Sequence, residues 1–257
     1  MTEPSRAAAQ RRVLPVLGAP IDALSIADAV ARIAAWAERR ESRCVCICNV
    51  HSVVTASNDV RFMRVLAEAD MATPDGAPVA WMLRRQGATM QRRVSGPELM
   101  LEVCAHVAEQ GEAIFLYGST DETLAALQSQ LRSRWPSLRI AGAISPPFRP
   151  LSAEEDAAIV HTINASGTGI VWVSLGCPKQ EQWIATHRGR IQAVMIGVGA
   201  AFDFHAGTVT RAPLWMRENG FEWLHRLASE PARLWKRYLV TNTAFLIGAA
   251  RQLHSAR

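Results

Sequence analysis

The chain has 257 residues, of which 49% are hydrophobic and 20% charged, and it carries a formal net charge of +5. A chain of this length and composition can bury a large core, which argues against an intrinsically disordered protein. Its longest apolar stretch, Tyr238 to Ala250, is interrupted by polar residues and is shorter than the roughly 18 residues that a membrane-spanning helix requires. The first twelve residues are polar and lack the apolar core of a signal peptide, so we expect a loose N-terminus and a cytoplasmic protein.

Strand-like and helix-like segments alternate along most of the chain. The predicted strands are Val13–Leu17, Arg43–Val50, Asp70–Thr73, Ala113–Tyr117, Leu138–Ala143, Gly169–Leu175 and Ala193–Val198. The predicted helices are Ser25–Arg40, Val53–Ala69, Ala77–Arg85, Ser95 to about Gln110, Asp121–Trp135, Ser152 to Ala165, and Gly176 through His187. This alternation predicts an α/β fold in which a parallel sheet has helices on both faces.

Capping boxes are predicted at the start of three of these helices, where a serine is followed three residues later by an acidic side chain. They are Ser25-x-x-Asp28, Ser95-x-x-Glu98 and Ser152-x-x-Glu155.

Three of the five cysteines, Cys44, Cys46 and Cys48, alternate with apolar residues along one predicted strand. They should therefore point to the same side of the sheet. Metal sites usually have a Cys-x2-Cys turn, and no histidine cluster follows here. We interpret these cysteines as small buried residues in a reducing compartment and predict no metal site.

The turn Thr73-Pro-Asp-Gly76 lies between a predicted strand and a predicted helix. Ligands of open α/β sheets bind beyond the carboxyl ends of the strands, so Asp75 can act there as a base. The same carboxylate can instead cap the helix that follows, by accepting its free N–H groups. The local sequence does not decide between these roles. No glycine-rich dinucleotide motif or Walker loop is present to indicate a dinucleotide or ATP enzyme.

The character of the chain changes after Phe202. Residues 202–207 and 211–213 look like loops, and the remainder lacks a predicted strand but is rich in tryptophan and arginine. We therefore predict a catalytic domain over 1–212 and a helical C-terminal appendage over 213–257. A basic amphipathic appendage suits a membrane surface, although packing on the body of the protein or on a second copy of the chain would give the same pattern.

Several segments together resemble the WecG/TagA/CpsF glycosyltransferases, which form glycosyltransferase family 26. They are Asn49-Val-His51, Thr73-Pro-Asp-Gly76, Arg93-Val-Ser-Gly96, Gly176-Cys-Pro-Lys-Gln-Glu-Gln-Trp183, Gly197-Val-Gly-Ala-Ala-Phe-Asp203, Ala206-Gly207, Arg211-Ala-Pro-x-Trp215, Gly220-Phe-Glu-Trp-x-x-Arg226 and Glu230-Pro231.

The resemblance implies a Rossmann-like fold and an inverting transferase that uses a UDP-sugar without a metal ion or other cofactor. The implied acceptor is a glycan on a polyprenyl diphosphate at the inner face of the plasma membrane. The appendage would attach the enzyme to that membrane and complete the active site. A nucleic-acid partner is not implied. Alternatives are a non-catalytic protein that binds lipid-linked glycans and another nucleotide-dependent α/β enzyme.

The resemblance also assigns roles to single residues. It makes Asp75 the catalytic base, places Arg93 and Gln180 in or near the active site, and brings Arg226 and Arg233 to the donor diphosphate. The next family arginine is Lys236 here, which keeps the charge but loses the bidentate geometry. Further candidate substrate contacts are Asn49, Lys179, Asp203 and His205, of which Asp203 can equally organise a loop. Ile47 replaces a threonine that is frequent in the family.

The residue types suit this chemistry. An inverting transfer needs a carboxylate to remove the proton of the acceptor hydroxyl. The chain contains no Asp-x-Asp pair to hold a metal, so arginines and helix N-termini are the natural partners of the departing diphosphate.

Overall fold

The computed structural model describes residues 11–255, apart from the side chains of Glu218, Arg233 and Arg237. Most of the N-terminal segment that we expected to be loose lies outside the described residues. Arg11 is an exception, because its guanidinium binds both carboxylate oxygens of the buried Asp22 at 2.7 and 2.9 Å.

The elements follow the predicted alternation. The strands are β1 (Val13–Val16), β2 (Ala19–Asp22), β3 (Arg43–Cys48), β4 (Met71–Pro74), β5 (Ala113–Gly118), β6 (Arg139–Ile144), β7 (Ile170–Ser174) and β8 (Val194–Gly197). The helices are α1 (Ile26–Glu38), α2 (Val50–Asn58), α3 (Val60–Glu68), α4 (Ala77–Arg85), α5 (Gly96–Gln110), α6 (Asp121–Arg134), α7 (Ala153–Ala165), α8 (Lys179–Thr186), α9 (Ala201–Ala206), α10 (Leu214–Glu218), α11 (Glu222–Ser229) and α12 (Pro231–Ser255).

Six strands form one parallel sheet in the order β4-β3-β8-β7-β5-β6. The carboxyl ends of all six strands lie at the same edge, where α/β proteins bind their ligands. The predicted Rossmann-like α/β fold is thus confirmed.

Alternate residues of the strands point to opposite faces of the sheet, and both faces are covered. Val45 and Ile47 pack in a core with residues of α1, α5, α6 and α9. Cys44, Cys46 and Cys48 point the other way, toward α2, α3, α4 and α8. The three cysteines are buried and free, as predicted, because a parallel strand between two helical layers has little room for solvent on either side.

Two differences from the predicted elements have local causes. The helix predicted over 53–69 is divided at Asp59, whose carboxylate caps α3 by accepting the N–H groups of Arg61 and Phe62 at 2.8 and 3.2 Å. The first predicted strand is half of a hairpin, in which Leu17 and Gly18 adopt the positive φ angles of a tight two-residue turn.

Two of the three capping boxes are confirmed, at Ser25 and at Ser152. The prediction at Ser95 is wrong. Ser95 is the N-cap residue of α5, but its side chain makes no capping bond, and the Glu98 carboxylate binds arginines instead of the Ser95 N–H. The segment 202–207, predicted as a loop, is mostly the short helix α9, which ends where Gly207 adopts a left-handed conformation.

The C-terminal helix α12 packs back onto the body of the protein. Its inner side buries Leu234, Phe245 and Ala249, and α12 lies against α2. Near its end, the Gln252 side chain accepts a hydrogen bond from the Leu17 N–H at 2.8 Å and donates one to a hairpin carbonyl at 2.7 Å. The outer side of α12 exposes Trp235, Leu239, Val240, Leu246 and Ile247. None of the helices in the described part of the chain is both long enough and apolar enough to cross a bilayer.

Candidate active site

Asp75 lies at the carboxyl edge of the sheet, directly after β4. Its backbone N–H donates to the Cys48 carbonyl of the neighbouring strand at 3.0 Å, and Gly76 turns the chain into α4 with a φ of 82°. Gly76, and not Asp75, is the N-cap residue of α4. Within the described residues, no hydrogen bond joins the Asp75 carboxylate to the helix, so the capping alternative is wrong.

The surroundings of Asp75 favour the protonated form of its side chain. Burial raises the pKa of Asp75 to about 7, the charge of Glu222 raises it further, and the charge of Arg93 opposes the rise. A carboxyl group that titrates near neutral pH can accept a proton from a substrate hydroxyl at that pH.

A network of arginines and glutamates lies close to Asp75. Glu98 is its centre, because one carboxylate oxygen, Oε1, accepts hydrogen bonds from Arg93 at 2.8 Å, Arg211 at 2.8 Å and Arg217 at 3.0 Å. Glu222 forms ion pairs with Arg93 and Arg211, each at 3.5 Å. Burial alone would raise the pKa of Glu98, but the hydrogen bond from Arg211 and the surrounding positive charges hold it below its usual value.

This network joins the sheet to the C-terminal segment. Arg93 and Glu98 belong to the loop before α5 and to its first turn, whereas Arg217 lies on α10 and Glu222 on α11. The turn between these two helices also lies against the start of α4, since a Cβ atom added to Gly220 would be 3.0 Å from that of Ala77. The segment 211–222 therefore lies beside the Asp75 turn.

Arg226 reaches the same region through Phe204 of α9. The guanidinium carbons of Arg211 and Arg226 lie 5.8 and 5.7 Å from the centre of this one ring. Both distances are in the range of cation–π contacts. Arg226 is thus adjacent to the network.

Unused hydrogen-bonding atoms are concentrated here. Five buried side-chain atoms of this group make no hydrogen bond among the described residues: Arg93 Nη1, Glu98 Oε2, Arg211 Nε, Arg217 Nε and Arg226 Nε. Folded proteins satisfy nearly all buried polar atoms. Two of the four guanidinium atoms, Arg93 Nη1 and Arg211 Nε, have only the 3.5 Å ion pairs with Glu222. Four guanidinium N–H groups without a hydrogen bond in one place indicate a site for a ligand with several acceptor oxygens.

Gln180 is buried, and both ends of its amide are engaged. Its Oε1 accepts the Gly199 N–H at 3.0 Å and its Nε2 donates to Glu181 at 2.9 Å, which fixes α8 to the loop after β8. Burial raises the pKa of Glu181 to about 7. Cys177, in the segment 176–181, has its Sγ 3.6 Å from the Oγ of Ser52, in the first turn of the helix α2 that follows β3. The segment 176–181 therefore lies beside the start of α2, and the Asp75 N–H bonds to Cys48 at the end of the strand that precedes α2.

Four other predicted contacts have different surroundings. Asn49 is exposed and caps α2, where its side-chain oxygen accepts the Ser52 N–H at 3.1 Å. Lys179 is exposed at the start of α8. The backbone carbonyl of Asp203 orders the turn after α9. His205 Nε2 donates to the Pro97 carbonyl at 2.9 Å, and His205 lines a recess with residues of α5 and α6 rather than the arginine network.

The remaining expectations concern Lys236 and Arg233 on α12, Ile47 on β3 and metal binding. Lys236 is exposed on α12, with its ammonium group 5.5 Å from the ring of Trp235, and it is not joined to the network. The side chain of Arg233 lies outside the described residues. Ile47, which replaces the frequent threonine, is buried in the core. Its side chain has no hydroxyl group to offer a substrate. The described residues contain no group of three His, Cys, Asp or Glu side chains that could hold a metal ion.

Sequence reasoning missed Glu98, Arg211, Arg217 and Glu222 as site residues. Two of them, Arg211 and Glu222, lie in the segments 211–215 and 220–226 that carried the resemblance, which was the available signal.

The model of the family "Glycosyl transferase WecG/TagA/CpsF" matches residues 14–257, which is nearly the whole chain. The match includes all six strands of the parallel sheet and every residue of the arginine network. The chain therefore belongs to the WecG/TagA/CpsF family of glycosyltransferases.

Proposed function

We propose that this glycosyltransferase moves a sugar from a UDP-sugar to a polyprenyl-diphosphate-linked glycan, with inversion and without a metal ion. The observation that carries the proposal is a group of four half-buried arginines, each with an N–H group that makes no hydrogen bond among the described residues, beside a carboxyl group whose pKa is about 7.

Asp75 is the base in this proposal. As the acceptor hydroxyl attacks the anomeric carbon from the face opposite the UDP, the carboxylate removes its proton. General-base catalysis of this kind contributes roughly 10²–10⁴ in rate. The half-buried position of Asp75 suits the role, because it leaves access for a hydroxyl group while limiting solvation of the carboxylate.

Arg93, Arg211, Arg217 and Arg226 stabilise the departing diphosphate. Guanidinium groups bind phosphate oxygens with two parallel hydrogen bonds. These hydrogen bonds strengthen as negative charge develops on the leaving group. Since these arginines supply positive charge without metal ligands, the transfer can proceed without a divalent cation. Gln180 supports the site indirectly, because it fixes the loop at Gly199.

The appendage, 213–257, has two roles in this proposal. It completes the active site, since Arg217, Glu222 and Arg226 belong to it. It also attaches the enzyme to the inner face of the plasma membrane. Exposed Leu214 and Trp215 on α10 and the exposed outer side of α12 supply apolar surface for this contact.

The test is a panel of UDP-sugars, including those of N-acetylmannosamine, its uronic acid and glucose, assayed with a short-chain lipid-diphosphate-linked acceptor. We expect UDP release that requires both substrates and that persists after treatment with a chelator. Release that stops with the chelator and returns with a divalent cation would contradict metal independence. Binding of the acceptor without turnover of any donor would favour the non-catalytic alternative.

A further inference from the structure

Glu98 brings together positive charges from two distant parts of the chain. Its Oε1 accepts hydrogen bonds from Arg93, five residues away, and from Arg211 and Arg217, which are 113 and 119 residues away. All three arginine side chains are less than one-fifth exposed. One carboxylate oxygen therefore fixes the positions of three largely buried guanidinium groups.

The charges of this network do not balance, and its donors are not used up. Three guanidinium groups face two carboxylates, Glu98 and Glu222, which leaves an excess of positive charge. Each guanidinium has five N–H donors. Arg93 Nη1 and Arg211 Nε have only the 3.5 Å ion pairs with Glu222, and Arg217 Nε has no hydrogen-bond partner among the described residues. A network with only a structural role would be expected to satisfy its buried donors.

We propose that Glu98 is a positioning residue that holds Arg93, Arg211 and Arg217 together as one diphosphate-binding subsite beside Asp75. The inference rests on the proposed function and extends it to the residues that organise the site. The diphosphate can be that of the nucleotide donor or that of the lipid-linked acceptor, because both present the same oxygens to the guanidinium groups.

The direction in which pyrophosphate affinity changes when Glu98 is replaced shows whether Glu98 positions the arginines or only contributes its charge. Replacing Glu98 by glutamine removes a negative charge from the cluster. If only net charge mattered, inorganic pyrophosphate would then bind more tightly. If Glu98 positions the arginines, pyrophosphate binds more weakly, because the guanidinium groups lose their common anchor and separate under their mutual repulsion.

The experiment is calorimetric titration of the full-length protein with inorganic pyrophosphate, with no turnover required. We expect Glu98→Gln to weaken pyrophosphate binding at least tenfold. Glu102→Gln is the matched control, since it makes the same charge change at an exposed position of the same helix, and it should change binding less than twofold. Tighter or unchanged binding in Glu98→Gln would overturn the proposal, as would failure of the wild-type protein to bind pyrophosphate.

A second variant covers the case in which Glu98→Gln does not fold. Arg217→Gln removes one guanidinium from the short peripheral helix α10 and should also weaken pyrophosphate binding, and unchanged binding would overturn the subsite. Competition kinetics then separate the two sources of diphosphate. If pyrophosphate inhibits competitively with the UDP-sugar, the subsite binds the donor. If pyrophosphate inhibits competitively with the lipid-linked glycan, the subsite binds the acceptor. An absence of turnover with every donor, together with normal pyrophosphate binding, would refute the proposed reaction but not the subsite.

Discussion

Replacing Asp75 by asparagine should remove the proposed catalytic base while keeping the shape of the side chain. We expect the rate of sugar transfer to fall by roughly 10²–10⁴, the usual contribution of a general base. Because the pKa of Asp75 is about 7, the wild-type carboxylate is about 9% ionised at pH 6 and about 91% ionised at pH 8. The wild-type kcat/KM should therefore rise roughly tenfold over this interval, whereas the residual activity of Asp75→Asn should not follow this titration.

The same substitution should stabilise the fold. The pKa of Asp75 in the folded protein lies above its ordinary value of 3.8, so folding favours the protonated form and stability is lost as the pH rises from about 4 to about 7. At about 1.4 kcal/mol for each pH unit, the full cost above pH 7 is at most about 4 kcal/mol. Asp75→Asn avoids this cost, so its free energy of unfolding at pH 8 should exceed that of the wild type.

The assay is UDP release at saturating acceptor from pH 6 to 8, paired with denaturant unfolding of both proteins at pH 8. A wild-type kcat/KM that is constant across this range, or an asparagine variant with wild-type turnover, would refute the assignment of Asp75 as the base. A variant that is both inactive and less stable would show that Asp75 has a structural role instead.

Three further predictions concern stability and membrane binding. Burial raises the pKa of Glu181 to about 7, so its ionisation in the folded protein is unfavourable. As the pH rises from 5 to 8, the free energy of unfolding of Glu181→Gln should therefore increase relative to that of the wild type, by up to about 3 kcal/mol. A difference between the two proteins that is the same at both pH values would contradict this. Gly118→Ala should cost several times more stability than Gly111→Ala. Both glycines have a positive φ, but only at Gly118 would the new Cβ atom lie 2.2 Å from a carbonyl oxygen of β7. Equal losses in thermal unfolding would show that this strand contact can relax. Leu246→Glu, on the outer side of α12, should weaken binding to anionic vesicles in a flotation assay, whereas Val60→Glu, at an even more exposed position of α3, should not; equal binding by both variants would exclude α12 as the membrane contact.

The sheet could be predicted because its signals are local. Buried parallel strands are short apolar runs, and the alternation of Cys44, Cys46 and Cys48 with apolar residues already fixes which side chains share a face. The break at Asp59 has a local signal as well, since an aspartate within a helical pattern can cap a new helix. The continuous apolar spacing on both sides of Asp59 concealed it.

The arginine network could not be predicted from local patterns. Glu98 has the spacing of a capping box, and in isolation it would bond back toward Ser95. The guanidinium groups of Arg211 and Arg217 offer stronger, charge-assisted hydrogen bonds, but they lie 113 and 119 residues further along the chain. The pairing depends on how the C-terminal segment crosses the sheet edge, and this path has no periodic signature.

The attachment of α12 at both ends limits how the C-terminal region can be studied by truncation. Its first turn follows the segment that supplies Arg217 and Glu222. Its C-terminal half buries Phe245 and Ala249 against the body of the protein and binds the N-terminal hairpin through Gln252. Cutting the chain near residue 213 would therefore expose part of the core, release the hairpin and dismantle the arginine cluster in a single step. Loss of activity in such a truncation reports the combined damage, whereas single substitutions on the outer side of α12 leave the carboxyl edge of the sheet and the hairpin contact in place.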